Sequence, residues 1–190
     1  MMEIQIIDNT DLVLIHPESH QDFRGSLSEH FRKDLLEKKL GYSVSDFCQE
    51  NEVHSKKGVL RGLHYQIPPH AQSKLISVIH GSIYDVVVDM RKWSENFGQV
   101  FGFFLSDDHD SILFIPRGFA HGFLTLSDQS LVFYKMDQYY HPPSEQSIAW
   151  DDSQLNIRWP MSIDSIIVSQ RDRSNIDFSK APSFDDPKAI

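Results

Sequence analysis

Apolar residues along this chain fall into short runs divided by turn signals, the pattern of an all-β protein. The runs place strands near residues 44–51, 58–66, 74–80, 82–90, 98–105, 112–115, 121–126 and 130–137. Between them stand Pro68-Pro69, Gly81-Ser82, Ser94 to Gly98, Ser106 to Asp110, Pro116 to Gly118 and Ser127 to Gln129. Leu12 to Ile15 is a further short run, ended by His16-Pro17, and reads as a strand near an edge. Asp22-Phe-Arg-Gly25 reads as a turn in which Gly25 supplies φ > 0. From Ser26 to Phe31 the residues alternate, so Leu27, Glu29 and Phe31 share one face. A glutamate so placed belongs to an edge or to a pocket.

Helical spacing is confined in the first half to residues 33–40, KDLLEKKL, with Gly41 as the residue that ends the turn. No helices alternate with the strands, which excludes a parallel βαβ sheet and leaves a sandwich or barrel. Past Trp159-Pro160 the strand pattern fades. Residues 162–190 read as short helix or coil packed over the barrel, with a frayed end at FDDPKAI. No internal repeat divides the 190 residues, and their number suits one domain, 1–190.

Composition narrows the function. With 13 Phe, 6 Tyr and 3 Trp, the chain has ample material for a core. A formal net charge of -9 argues against nucleic acid as a partner. No apolar run approaches the about 20 residues that span a membrane, and the first residues, MMEIQIIDNTDL, do not read as a signal peptide. Cys48 is the only cysteine. It closes no internal disulfide and builds no metal cluster, so it reads as a small buried apolar residue in a reducing cytoplasm.

Chemistry concentrates between Gly58 and Leu75, GVLRGLHYQIPPHAQSKL. A guanidinium (Arg61), an imidazole (His64), an amide (Gln66) and an ammonium (Lys74) are interleaved there with Val59, Leu60 and Leu63. Polar groups threaded through a strand line a wet cavity. The set fits an anionic ligand with a basic histidine at its centre. On a regular strand Arg61 and His64 point to opposite faces, so both reach one cavity only if the ladder breaks between them. Gly62 is where a bulge or sharp bend is expected. Asp89 to Lys92, DMRK, reads as a strand-end salt-bridge group.

Pro116-Arg-Gly-Phe-Ala-His121 fits the P-x-G-x-x-H half of the second cupin motif, which suggests a double-stranded β-helix, the jelly roll. Where metal-binding cupins carry H-x-H, this chain has His64-Tyr65-Gln66. Two histidines without a carboxylate make a poor transition-metal site, so no metal and no cofactor is expected.

Several segments in the same order complete a resemblance. They are Arg61 to Gln66, Ala71-Gln-Ser-Lys74, Asp85-Val-Val-Val-Asp89-Met-Arg91, Phe97-Gly98, Ile115 to Phe123, Tyr134-Lys135 and Tyr139-Tyr140. Together they resemble the dTDP-4-dehydrorhamnose 3,5-epimerase family over roughly residues 12–160. The resemblance implies a homodimeric, metal-independent nucleotide-sugar epimerase acting through an enolate. It implies His64 as base, oriented by Asp172, with Tyr134 as acid on the opposite face. Lys74 would hold the charge on the ketone oxygen. Arg24, Glu29, Gln49, Asn51, Arg61, His121, Glu145 and Arg171 match positions that hold sugar and diphosphate, and Tyr140 one that stacks on the base. Ser77 and Arg117 depart from the family pattern.

Bland readings stand beside these. His64 taken alone is a core histidine, His121 packs beside the Pro-Gly turn, Tyr134 is a core aromatic, and Arg24 caps a turn. The rivals in function are an epimerase inverting C3 only, or one taking another nucleotide or a heptose. From other classes come a metal-dependent cupin oxygenase and a non-catalytic sugar-binding jelly roll, although His64, Lys74 and Tyr134 together argue against the last.

Overall fold

The computed structural model describes residues 2–7, 9–109 and 111–190. Asp110, which closes the turn expected after Ser106, lies outside the described residues. Two antiparallel sheets face each other. The first has the order β1 (Glu3–Ile6), β2 (Val13–His16), β10 (Ile112–Ile115), β7 (Lys74–His80), β12 (Gln129–Met136) and β5 (Gln49–Lys56). The second runs β13 (Glu145–Ser147), β6 (Val59–Gln66), β11 (Phe119–Thr125), β8 (Ser82–Asp89) and β9 (Val100–Ser106). β14 (Ile167–Val168) adds to β6 in parallel, and β3 (Glu18–Asp22) with β4 (Gly25–Glu29) forms a separate hairpin. Neighbours far apart in sequence, such as β10 between β2 and β7, are the crossovers of a cupin-type jelly roll.

The main core lies between the sheets. Ile76, Val78, Leu113, Ile115 and Val132 meet Ile83, Val87, Leu105, Phe119 and Phe123 across it. Both outer faces are also covered. α1 (Lys33–Leu40) lays Leu36 on Val13, Ile15, Leu75, Ile112 and Phe114. The chain after β13 lays Leu155, Phe178 and Phe184 on Leu63, Tyr65, Val86, Val88 and Ala120. Double coverage explains why β10, and Val86 to Val88 within β8, read as unbroken apolar runs and not as alternation.

The helix at 33–40 and the strands at 74–80 and 112–115 fall where the pattern put them, and Gly41 ends α1 at φ +80°. The strand expected at 44–51 lies further on, at Gln49–Lys56, where it pairs with β12. Cys48 is therefore not a core residue. It is exposed at the end of an irregular lead-in, where its N–H donates to the Met136 carbonyl. The C-terminus is not frayed at Phe184. That ring is buried against Tyr65, and its backbone hydrogen-bonds to Met90 and Lys92. The DMRK group does form strand-end ion pairs: Arg91 with Asp89 and Asp11, and Lys92 with Asp185.

β6 contains the expected irregularity. Opposite it on β11, His121 faces His64 and Phe123 faces Arg61, so Gly62 and Leu63 together oppose Gly122 alone. This two-for-one register is a β-bulge. Gly62 has φ +127°, and a Cβ there would stand 2.6 Å from the Gly122 Cα. A Cβ on Gly122 would stand 2.6 Å from the Arg61 carbonyl oxygen. Only two glycines permit so close a backbone approach. Asn175 pins the bulge from outside, donating to the Gly62 and Ile148 carbonyls.

Candidate active site

The sheets' facing rows are apolar at one end and turn polar at the other. Lys74 precedes Ile76 and Val78 on the inward face of β7, and Gln49 and Asn51 precede Val53 on β5. Tyr134 and Met136 extend the row of Val132, and His121 lies two residues from Phe123 on β11. These residues line a cavity of about 730 Å³ with Arg61, His64, Gln66, Tyr140, Glu145, Arg171 and Asp172. Eleven of the thirteen expected site residues are thus brought together. Arg24 and Glu29 are not, because both sit on the exposed β3–β4 hairpin. There Arg24 pairs with Asp22 and Glu29 with Arg32.

β6 carries His64, whose Nε2 lies 2.6 Å from Oδ1 of Asp172. Asp172 comes from α2 (Gln170–Arg173), a single turn that follows β14. Ser169 caps the turn, accepting the Asp172 N–H and donating to its Oδ2. The segment S-Q-R-D is therefore a self-contained holder for one carboxylate. Burial pushes the Asp172 carboxyl up, but hydrogen bonds from His64 and Ser169 and the nearby charges outweigh it and hold it below the usual range. Against an ionised Asp172, a neutral His64 places its proton on the contacting Nε2 and leaves the lone pair on Nδ1.

Lys74 stands on the other sheet and reaches across to the His64 carbonyl at 3.4 Å. Its position is locked one residue earlier, where the Ser73 N–H donates to Asp137, itself held by Arg117. Arg117, one of the two residues expected to depart from the family pattern, thus helps set the register of the lysine. Burial lowers Lys74 to about 8, with Asp85 and Glu145 pulling the other way.

Asp85 was not among the residues expected from sequence. It is fully buried, and Oδ2 lies 2.8 Å from Nε2 of His121. Burial raises its pKa against the opposing pull of His121 and Lys74. A carboxylate between Ile83 and Val87 on a core-facing row was the available signal, since buried charge in an apolar row marks a site. At the cavity mouth Glu145 accepts from both the Tyr140 hydroxyl and Arg171. Gln66 holds the same segment, donating to the His70 carbonyl and accepting the His141 N–H. Arg61, mostly exposed, is steered by Ser55 and the His54 carbonyl. Among the described residues no group of three or more His, Cys, Asp or Glu is placed to hold a metal ion.

A His–Asp pair thus lies on one wall of a jelly-roll cavity, with a tyrosine and a lysine on the facing wall. The chain is a carbohydrate epimerase, an isomerase on a cupin scaffold. Residues 7–180 match the family model described as dTDP-4-dehydrorhamnose 3,5-epimerase, and the chain belongs to that family. It is 45% identical over 163 residues to the dTDP-4-dehydrorhamnose 3,5-epimerase of Methanothermobacter thermautotrophicus, covering 85% of this chain and 86% of the relative. The Escherichia coli K12 enzyme of the same name is 44% identical over 162 residues, with the same coverage. The dTDP-6-deoxy-D-glucose-3,5-epimerase RmlC of Legionella pneumophila, solved in complex with dTDP-4-keto-L-rhamnose, superposes with a TM-score of 0.90 at 39% identity. That match covers 98% of this chain and all of the other, 100%.

The environment of Lys74 gives a titration test. A lysine lowered from 10.5 to about 8 keeps its charge below that pH and loses it as the pH rises through it. In a ¹³C NMR titration of reductively methylated protein, one dimethyl-lysine resonance should show a midpoint near 8 and be missing from Lys74→Met. A Lys74 resonance titrating above pH 10 would contradict the buried setting.

Proposed function

We propose that this chain inverts C3 and C5 of dTDP-4-keto-6-deoxyglucose, giving dTDP-4-keto-L-rhamnose. The observation that supports the reading is that His64 with Asp172 on one wall of the cavity faces Tyr134 with Lys74 on the other. Carbons 3 and 5 flank the C4 ketone, so loss of either proton leaves an enolate. His64, aligned by Asp172, takes the proton on Nδ1. Lys74 holds the negative charge that develops on O4, which lowers the barrier electrostatically. Tyr134 delivers a proton to the opposite face, and exchange with solvent resets both groups. The same pair serves both carbons in turn if the ring turns over between steps.

Arg61 and Arg171 supply the cationic patch for the diphosphate, although the chain as a whole is acidic. Arg171 leaves Glu145 to do so. Tyr140 lies on the nucleobase, and Glu145, Gln49, Asn51 and His121 surround the sugar. The reading places the enzyme in the cytoplasm, which suits a lone thiol and a nucleotide-linked substrate. Recovery in an exported fraction would contradict that placement. No helix among the described residues is long and apolar enough to cross a membrane.

The reading includes a homodimer in which the β3–β4 hairpin reaches the cavity of a second copy. Phe23 and Leu27 on it are 98% and 74% exposed, unusually bare for large apolar side chains. A hairpin docked in trans also gives Arg24 and Glu29 a substrate to hold.

Two experiments test these proposals. Wild-type enzyme incubated with dTDP-4-keto-6-deoxyglucose in D₂O should incorporate deuterium at C3 and C5, read by NMR. His64→Ala should lose both exchanges while still binding the nucleotide sugar, because Arg61, Arg171 and Tyr140 remain. Exchange at near wild-type rate in that variant would assign the base elsewhere. For the dimer, Arg24→Ala and His64→Ala chains refolded together should regain activity that neither has alone, since a mixed dimer contains one complete site. No recovery, or a monomer in sedimentation, would reject the arrangement in trans.

A further inference from the structure

Three hydrogen bonds link the cavity mouth to the tyrosine on its wall. The backbone N–H of Tyr140 donates to Oε1 of Gln49 at 2.7 Å. A backbone N–H can only donate, so this contact fixes which end of the Gln49 amide is oxygen. Its Nε2 must then face Asn51, and it donates to Oδ1 there at 3.2 Å. The Asn51 amide is fixed in turn. Its Nδ2 donates to the Tyr134 hydroxyl oxygen, also at 3.2 Å.

The arrangement follows from strand register. Gln49 and Asn51 are two apart on β5 and share its inward face. On β12 they pair with Met136 and Tyr134 respectively. Asn51 therefore lies directly across from the phenol.

The direction of the last bond matters for chemistry. The Tyr134 oxygen accepts, so its own proton points elsewhere. Among the described residues no protein acceptor takes that proton, and Tyr134 faces the cavity. If the chain of amides ran the other way, Asn51 would present its oxygen and draw the proton out of the cavity. The Tyr140 N–H forbids that reversal, since it has no lone pair to offer.

We infer that Gln49 and Asn51 are positioning residues, an amide relay that starts at the backbone of Tyr140 and holds the Tyr134 hydroxyl with its proton free for the substrate. The inference rests on the reading of Tyr134 as the proton donor. It gives these two amides a role distinct from holding the sugar. It also ties the orientation of the acid to the segment on which the nucleobase is proposed to lie.

Two isosteric substitutions reverse the relay at different points. Asn51→Asp puts a carboxylate across from Tyr134, and a carboxylate accepts the phenol proton. Gln49→Glu still accepts the Tyr140 N–H but cannot donate. The Asn51 amide then turns to donate to it, and Oδ1 faces Tyr134. The second change acts on the phenol without touching it.

The readout is the ratio of deuterium exchange with retained configuration to inversion, measured on dTDP-4-keto-6-deoxyglucose in D₂O. His64 can still take a proton, exchange it with solvent and return it to the same face. Inversion in either variant should fall at least ~10-fold, towards the ~10²–10⁴-fold of a lost acid. The ratio should rise by the same factor. Either variant alone decides, and thermal melts report whether each is folded. Amides that serve only to bind the sugar or to join β5 to β12 would raise KM or lower the melting temperature and leave the ratio at its wild-type value. That result would overturn the relay and leave the epimerase reading intact. Wild-type enzyme that neither exchanges nor inverts would overturn both.

Discussion

The contact on which this structure turns is backbone on backbone, Gly62 against Gly122. Regular alternation from Arg61 would send Leu63 and Tyr65 into the cavity and His64 out of it. The bulge between them reverses that, keeping Arg61, His64 and Gln66 inward and Leu63 and Tyr65 outward, where the C-terminal segment covers them. Both glycines are required because any Cβ would collide with the opposing main chain. Once His64 faces inward, the remaining geometry follows. Asp172 can meet it only because β14 joins β6 in parallel and delivers the capped turn of residues 170–173 to its edge.

The cavity is the polar continuation of the hydrophobic core, and its electrostatics reflect that origin. Lys74 and Asp85 are both pushed towards neutrality by burial, and each partly offsets that push on the other. A lysine of this kind can respond to a developing oxyanion more strongly than one in water, because the low local dielectric magnifies the interaction. Arg61 and Arg171, proposed to hold the diphosphate, sit further out, where they keep their solvation. An acidic chain thus presents a locally basic mouth.

Much of this was legible in the sequence because the informative residues are local. The Pro68-Pro69 and Pro116 to Gly118 turns, the apolar runs and the helix at 33–40 declare themselves through short-range chemistry. The break at Gly62 followed from parity once Arg61 and His64, three apart, were both assigned to one cavity. What escaped depends on distant partners. β13 and β14 are strands only because β6 offers its edges, and their sequences carry no alternation of their own. Cys48 looked apolar, but the strand that would have buried it starts one residue later. Phe184 lies in a polar tail and is fixed by Tyr65, more than a hundred positions earlier. Asp85 heads a segment that contributes to the family resemblance, but beside Val86 to Val88 its charge did not stand out. Arg24 and Glu29 carry a family signal that the fold of one chain does not explain.

The central claim is that protons leave and return on opposite faces of the sugar, and Tyr134→Phe tests it most directly. The substitution keeps the ring and its packing and removes only the hydroxyl. With dTDP-4-keto-6-deoxyglucose in D₂O, the account predicts that deuterium still enters at C3, C5 or both with configuration retained. Inverted product should fall by the ~10²–10⁴-fold typical of a lost positioned acid. Inversion at the wild-type rate would contradict the two-faced mechanism.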